Sequence, residues 1–206
     1  MPLPARPDLR IESEETVWAG RFPLDRVRFR HRRFDGAWSG TRTWELWRRG
    51  RAGAVLPYDP VQDRVVLLEQ YRLPAAAAGI DPVLVEIPAG LCDPGEDPVA
   101  TLRREAAEEA GMTVLRLHRI GDYLLTPGGA DEYVGLYAGE VRLPAAGVAA
   151  QGGLAAEHED IRVRIWPAEE AIGAALAGAM PNVVTAVALL WLAARRATLR
   201  ELWAAA

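Results

Sequence analysis

Residues 16–50 alternate apolar and polar positions in short runs, one through Val27, Phe29 and His31 and another through Trp44, Leu46 and Arg48. Period-two alternation is the signature of half-buried strands, and Asp35-Gly36 between the two runs is a hairpin-turn signal. The stretch predicts a small antiparallel sheet with an aromatic face made of Phe22, Phe29, Phe34, Trp38, Trp44 and Trp47. So small a sheet buries little apolar surface alone, so it must pack on the rest of the chain or on a second subunit.

From Ala52 onward the chain becomes more apolar. Ala54–Tyr58 and Arg64–Glu69 read as strands around an Asp59-Pro60 turn, and Val83–Ile87, Leu115–Leu125, Glu132–Gly139 and Ile161–Trp166 as further strands. One helix opens with Asp97 as N-cap and Pro98 at its first position and stops at Gly111. Residues from Pro167 to the end read as two helices broken near Met180-Pro181, whereas Ala75–Ala78 and Gly147–Ala156 read as small-residue loops. Strands interleaved with helices give an α/β (α+β) class, divided into an N-terminal β-sheet region over 1–50 and a larger domain over 51–206.

Composition narrows the chemistry. All 24 basic side chains are arginines, set against 28 acidic ones for a formal net charge of −4. Without lysine there is no Schiff base, no pyridoxal-phosphate anchor and no P-loop lysine, so phosphate must be handled by arginine, backbone N–H groups or a metal. The acidic balance argues against nucleic acid as a partner, and the arginines of Val27–Arg33 alternate with apolar residues as on a solvated strand face. Cys92 is the only cysteine, which excludes an internal disulfide and a cysteine-rich zinc site. The N-terminus has no apolar run resembling a signal peptide. The longest apolar stretch, Val183–Ala194, falls short of the ~20 residues a membrane span needs, so we expect a cytoplasmic protein with no membrane partner.

Residues 90–112 are more specific. Gly90 is followed after five residues by Glu96, after seven more by Arg104-Glu105, and then by Glu108-Glu109-Ala110-Gly111-Met112. On a helix, positions three and four apart are neighbours, so Glu105 lies beside Glu108 and Glu109, and Arg104 lies one turn from Glu108. Clustered carboxylates raise one another's pKa unless a cation neutralises them, and hard oxygen ligands suit Mg²⁺ or Mn²⁺. Glu96 can join from the preceding loop. A charged surface helix would explain any one of these glutamates, but seven fixed letters at these offsets arise by chance on the order of once in a hundred thousand chains of this composition.

The pattern resembles the Nudix box, G-x5-E-x7-R-E-U-x-E-E-x-G-U, with the small Ala106 where a bulky aliphatic U is usual. The resemblance implies an α/β/α sandwich with a mixed sheet and metal-dependent hydrolysis of a nucleoside diphosphate linked to another group. It also implies two or three metal ions per site, held by the glutamates matching Glu105, Glu108 and Glu109 together with the carbonyl of Ala89. The arginine matching Arg104 orients a glutamate.

The flanks resemble the ADP-ribose pyrophosphatase subfamily over roughly residues 16–204. Pro127 stands fifteen residues beyond Met112, within Thr126-Pro127-Gly128-Gly129. Glu69-Gln70-Tyr71-Arg72 is similar to the family's E-Q-x-R strand, and Glu86-Ile87-Pro88-Ala89-Gly90 to its E-x-P-A-G lead-in. Glu157-His158-Glu159-Asp160 resembles the subfamily's acidic loop.

By that resemblance, Arg72 contacts the substrate phosphates, and Pro127, Gly128 and Glu132 lie near the terminal ribose. Phe22 or Trp44, with Glu45, serves the base. Glu157 is the first choice of general base, with Glu159 as a further metal ligand and the alternative base. The alternation of an extended segment turns His158 away from them, and His31 and His118 read as structural. In relatives the N-terminal sheet is exchanged across a homodimer. The implied activity is cleavage of ADP-ribose to AMP and ribose 5-phosphate. The alternatives are another nucleoside diphosphate sugar, such as GDP-mannose or UDP-glucose, and a non-catalytic module that senses ADP-ribose. Beyond Arg72 and Arg104, the arginines read as surface residues.

Overall fold

The computed structural model describes residues 3–144, 151–153 and 159–204. They form two compact units, Met1–Arg51 with Leu124–Tyr133, and Ala52–Tyr123 with Val134–Ala206.

The first unit is built on a three-stranded antiparallel sheet of β1 (Leu9–Trp18), β2 (Leu24–His31) and β3 (Arg42–Trp47), in that order. The predicted hairpin is the β2–β3 connection, with Gly36 at φ 81. Phe34 does not join the aromatic face: it stands fully exposed near the turn. β1 begins well before the alternating stretch. Nearly all its side chains are exposed, so pairing with β2 rather than an apolar face makes it a strand. The Thr126–Asp131 loop is tied to the end of β3, where Trp47 N–H donates to Gly129 and Asp131 N–H to the Trp47 carbonyl.

The second unit holds an eight-stranded sheet. Its strands are β4 (Arg51–Asp59), β5 (Arg64–Tyr71), β6 (Val83–Glu86), β7 (Ala89–Leu91), β8 (Leu117–Leu124), β9 (Tyr133–Glu140), β10 (Gln151–Gly152) and β11 (Ile161–Pro167). The path runs β10-β11-β5-β4-β9-β8, with β6 added on β5 and β7 on β4. Residues 52–59 of β4 and 65–68 of β5 are buried without interruption, as in strands covered on both faces. On one side Val55, Val66, Leu68, Ile161 and Val163 pack against Leu102, Ala106 and Ala110 of α2 (Pro98–Ala110). On the other lie α3 (Ala168–Leu176) and α4 (Val183–Ala204), where Trp203 lies near the Tyr58 ring. This is the α/β/α sandwich that the resemblance implies. The short helix α1 (Leu73–Ala77) occupies part of the expected Ala75–Ala78 loop, and β10 lies within the expected Gly147–Ala156 loop. Among the described residues no helix is long and apolar enough to cross a membrane.

Not all the remaining arginines lie at the surface. Arg48 is largely buried between Asp25 and Asp131, and Arg116 and Arg142 both reach the fully buried Glu140. A buried carboxylate requires charge partners, which the half-buried Arg116 and the exposed Arg142 supply to Glu140.

Candidate active site

Helix α2 starts as the sequence predicts. Asp97 accepts from Val99 N–H at 2.7 Å and Ala100 N–H at 3.1 Å, Pro98 fills the first helical position, and Gly111 ends the helix in the left-handed region at φ 64. Its buried stripe of Leu102, Ala106, Glu109 and Ala110 carries one charged residue. The small residue at the box's aliphatic position is fully buried in this packing. At the start of the same helix, a Cβ on Gly53 of β4 would lie 2.3 Å from the Pro98 carbonyl oxygen.

Arg104 is the hub of the exposed side of the site. Its Nη1 donates to Glu105 and to Glu108 at 2.9 Å each, while Nε and Nη2 reach Glu96 at 3.4 and 3.3 Å. Glu96 also accepts from Thr101 Oγ1 at 2.8 Å and Asp93 N–H at 3.1 Å. These donors, Arg104 first among them, pull its carboxyl down to about 2.

Glu109 is held differently. Its Oε2 accepts from the Ala89 N–H at 3.0 Å, which turns it away from the arginine and toward β7. Burial, reinforced by the negative charges of Glu105 and Glu159 and opposed by the Ala89 N–H and Arg72, pushes its carboxyl up to about 8. Burial likewise raises Glu105, with Arg104 opposing and the charges of Glu108 and Glu159 adding to the rise.

Arg72 leaves the end of β5 with its backbone N–H on Pro82 and its guanidinium on Glu86 Oε2, at 2.9 Å from Nε and 2.6 Å from Nη2. Burial opposes its charge, but Glu86, Glu109 and Glu159 outweigh it and raise its pKa. The field of one site thus joins Glu105, Glu109, Glu159 and Arg72.

The donor chemistry fits a divalent cation. Buried carboxylates that repel one another in this way are stabilised by a hard metal ion, and Glu105, Glu109 and Glu159 supply oxygen. Among the described residues no three such side chains stand as a finished ligand cluster. Glu105 and Glu108 are turned to Arg104 instead. Glu157 and His158 lie outside the described residues. Glu86 is a residue for which the sequence reading assigned no role, although it heads the E-x-P-A-G segment.

The base- and ribose-binding candidates lie in the first unit. Phe22 lines a cleft of about 550 Å³ with Trp18, Arg21, Leu24 and Trp47. The Arg49 guanidinium lies 4.1 Å from the Phe22 ring centre and 4.8 Å from that of Trp47. Trp44, Glu45 and Gly128 line a separate cleft of about 360 Å³ with Thr43. Glu132 forms an ion pair with Arg49 at 3.1 Å, and Pro127 sits in the loop beside it. The sequence reads Arg49 as a surface residue, because nothing in the spacing of residues 49 and 132 signals their largely buried contact.

The chain matches the NUDIX domain over residues 47–186. It is 40% identical over 198 residues to an ADP-ribose pyrophosphatase of Escherichia coli, covering 96% of this chain and 93% of the relative. It is 38% identical over 200 residues to an ADP-ribose pyrophosphatase of Haemophilus influenzae, covering 95% and 91%. A GDP-mannose pyrophosphatase of Yersinia pestis is 38% identical over 97 residues, 47% of this chain and 48% of that one. Among solved structures, an ADP compounds hydrolase shares the fold with a TM-score of 0.62 at 20% identity, over 94% of this chain and 98% of that one.

Proposed function

The chain belongs to the Nudix family, and from that premise we propose that it hydrolyses the pyrophosphate of ADP-ribose to AMP and ribose 5-phosphate. The observation that carries the substrate is the identity to ADP-ribose pyrophosphatases over almost the full length of both chains. The likeness to a GDP-mannose pyrophosphatase extends over only half of each, so GDP-mannose is the second substrate to test.

In this reading Glu105, Glu108, Glu109 and Glu159, with the Ala89 carbonyl, hold two or three Mg²⁺ ions, or Mn²⁺ in their place. Bound there, the metal supplies charge neutralisation across the two phosphates and a more acidic water. The chain's own residues do the rest. Arg72 binds phosphate with the part of its guanidinium fork that Glu86 does not occupy. Arg104 keeps Glu105 and Glu108 in place, and Glu157 accepts the proton of the attacking water. Phe22 or Trp44, with Glu45, receives the base, and Pro127, Gly128 and Glu132 the terminal ribose. The assembly in this reading is a cytoplasmic homodimer with exchanged N-terminal sheets.

The test is turnover of ADP-ribose, GDP-mannose, UDP-glucose, NADH and diadenosine polyphosphates with Mg²⁺, followed by phosphatase-coupled release of phosphate. ADP-ribose should give the highest kcat/KM, and a place among the poorest substrates would overturn the assignment. E109Q should lower kcat by about a hundredfold or more while the fold persists. Near-normal turnover by that variant would remove Glu109 from the metal site.

A further inference from the structure

This chain contains a single asparagine, Asn182, and both ends of its amide are engaged. Its Oδ1 caps α4, accepting from Thr185 N–H at 3.0 Å and from Thr185 Oγ1 at 3.2 Å. Its Nδ2 donates to Glu86 Oε1 at 2.9 Å. The other oxygen of Glu86 is the one that holds Arg72 by both Nε and Nη2. One residue along, Ile87 N–H donates to Thr185 Oγ1 at 3.1 Å, so the first turn of α4 is fastened to the end of β6 at two adjacent residues. Glu86 is buried, and its carboxylate is oriented by contacts on both oxygens.

We propose that Asn182 is a positioning residue for the hydrolysis, fixing Glu86 so that Glu86 in turn aims the Arg72 guanidinium at the substrate phosphates. The proposal rests on the reading of Arg72 as a phosphate-binding residue. The chemistry requires a primary amide at this position. Aspartate caps a helix as well as asparagine does, but it would set a second carboxylate against Glu86. Serine also caps well but has no amide N–H with which to reach the buried oxygen. Without its second anchor, the Glu86 carboxylate can rotate about its last torsion and carry the arginine with it, because that torsion is broad.

N182S separates the two jobs, since it keeps a capping hydroxyl and removes the donor to Glu86. Its KM for ADP-ribose should rise about tenfold, the scale of a lost hydrogen bond to a charged group, while kcat changes far less. Affinity for the uncleavable α,β-methylene analogue of ADP-ribose, measured by calorimetry, should weaken by the same factor. N182D, also capped, should show a larger loss. In the R72Q background N182S should cause no further loss, because the two residues act in series.

If R72Q alone leaves KM and analogue affinity unchanged, the phosphate role of Arg72 falls, and the proposal with it. If R72Q is impaired but N182S binds like the parent, or if their effects add fully, only the role of Asn182 is overturned. Thermal unfolding of each variant verifies that the cap has survived.

Discussion

A Cβ placed on Gly90 would lie 1.8 Å from Glu105 Oε1 and 2.2 Å from its carboxyl carbon. The first letter of the box is therefore glycine because a box glutamate lies against its Cα. The obstructing atoms are the far end of a flexible side chain, so a methyl group there displaces Glu105 rather than the backbone. G90A should consequently unfold within about 4 °C of the parent, a change of about 1 kcal/mol at most for a protein of this size, while kcat falls by at least about tenfold. An unchanged kcat would mean that the position of Glu105 is irrelevant to turnover.

Glu109 makes stability depend on pH in a direction opposite to that of most carboxylates. Burial, with the charges of Glu105 and Glu159, raises its folded pKa to about 8 against an ordinary value near 4.5. Between those values the folded protein holds a proton that the unfolded chain has released, so stability falls as pH rises through the window. The contribution is complete below the unfolded pKa and is lost as pH passes the folded one. Tm measured in EDTA should fall between pH 5 and pH 9 by less in E109Q than in the parent. Excess Mg²⁺ should flatten the parent's profile by favouring the ionised carboxylates. An identical slope in E109Q would assign the pH dependence to other groups.

Arg104 reaches three carboxylates at once because a guanidinium is a planar fork. Lysine retains the charge and loses that geometry. R104K should weaken Mn²⁺ binding, followed by electron paramagnetic resonance, by about tenfold or more, the scale of losing a residue that orients metal ligands. Binding equal to the parent's would reduce Arg104 to a surface charge.

The neighbours among the candidate glutamates could be read from the sequence because Glu105, Glu108 and Glu109 lie on one helix, where spacing alone fixes which side chains meet. The strands β4 and β5 were legible for a related reason: burial on both faces leaves an unbroken apolar run. β1 was not, because its exposed side chains carry no apolar period and its partner strand alone defines it. Local pattern also cannot reveal which arginine meets which acid across the fold. Arg49 with Glu132, and Arg116 with Glu140, are separated by 83 and 24 positions. Asn182, to which the sequence reading gave no role, meets Glu86 across 96 positions.

Arg48 shows the energetic consequence of such long-range pairs. Its Nε lies 3.6 Å from Asp25 Oδ2 and 3.3 Å from Asp131 Oδ2, with only 14% of its side chain exposed. Asp131 Oδ1 meanwhile accepts from the backbone N–H groups of Arg49 at 2.6 Å and Gly50 at 3.0 Å, which ties the loop to the turn after β3. Methionine at position 48 preserves the bulk but leaves two acids facing each other without the guanidinium between them. R48M should destabilise by about 3 kcal/mol, as when one partner is removed from a buried pair. The double variant R48M/D25N should recover part of that loss, because one of the uncompensated charges is gone. Urea unfolding followed by tryptophan fluorescence measures this, with Trp18, Trp38, Trp44 and Trp47 all in the same unit. A loss below about 1 kcal/mol, the level of an exposed pair, would show that water already screens these three charges.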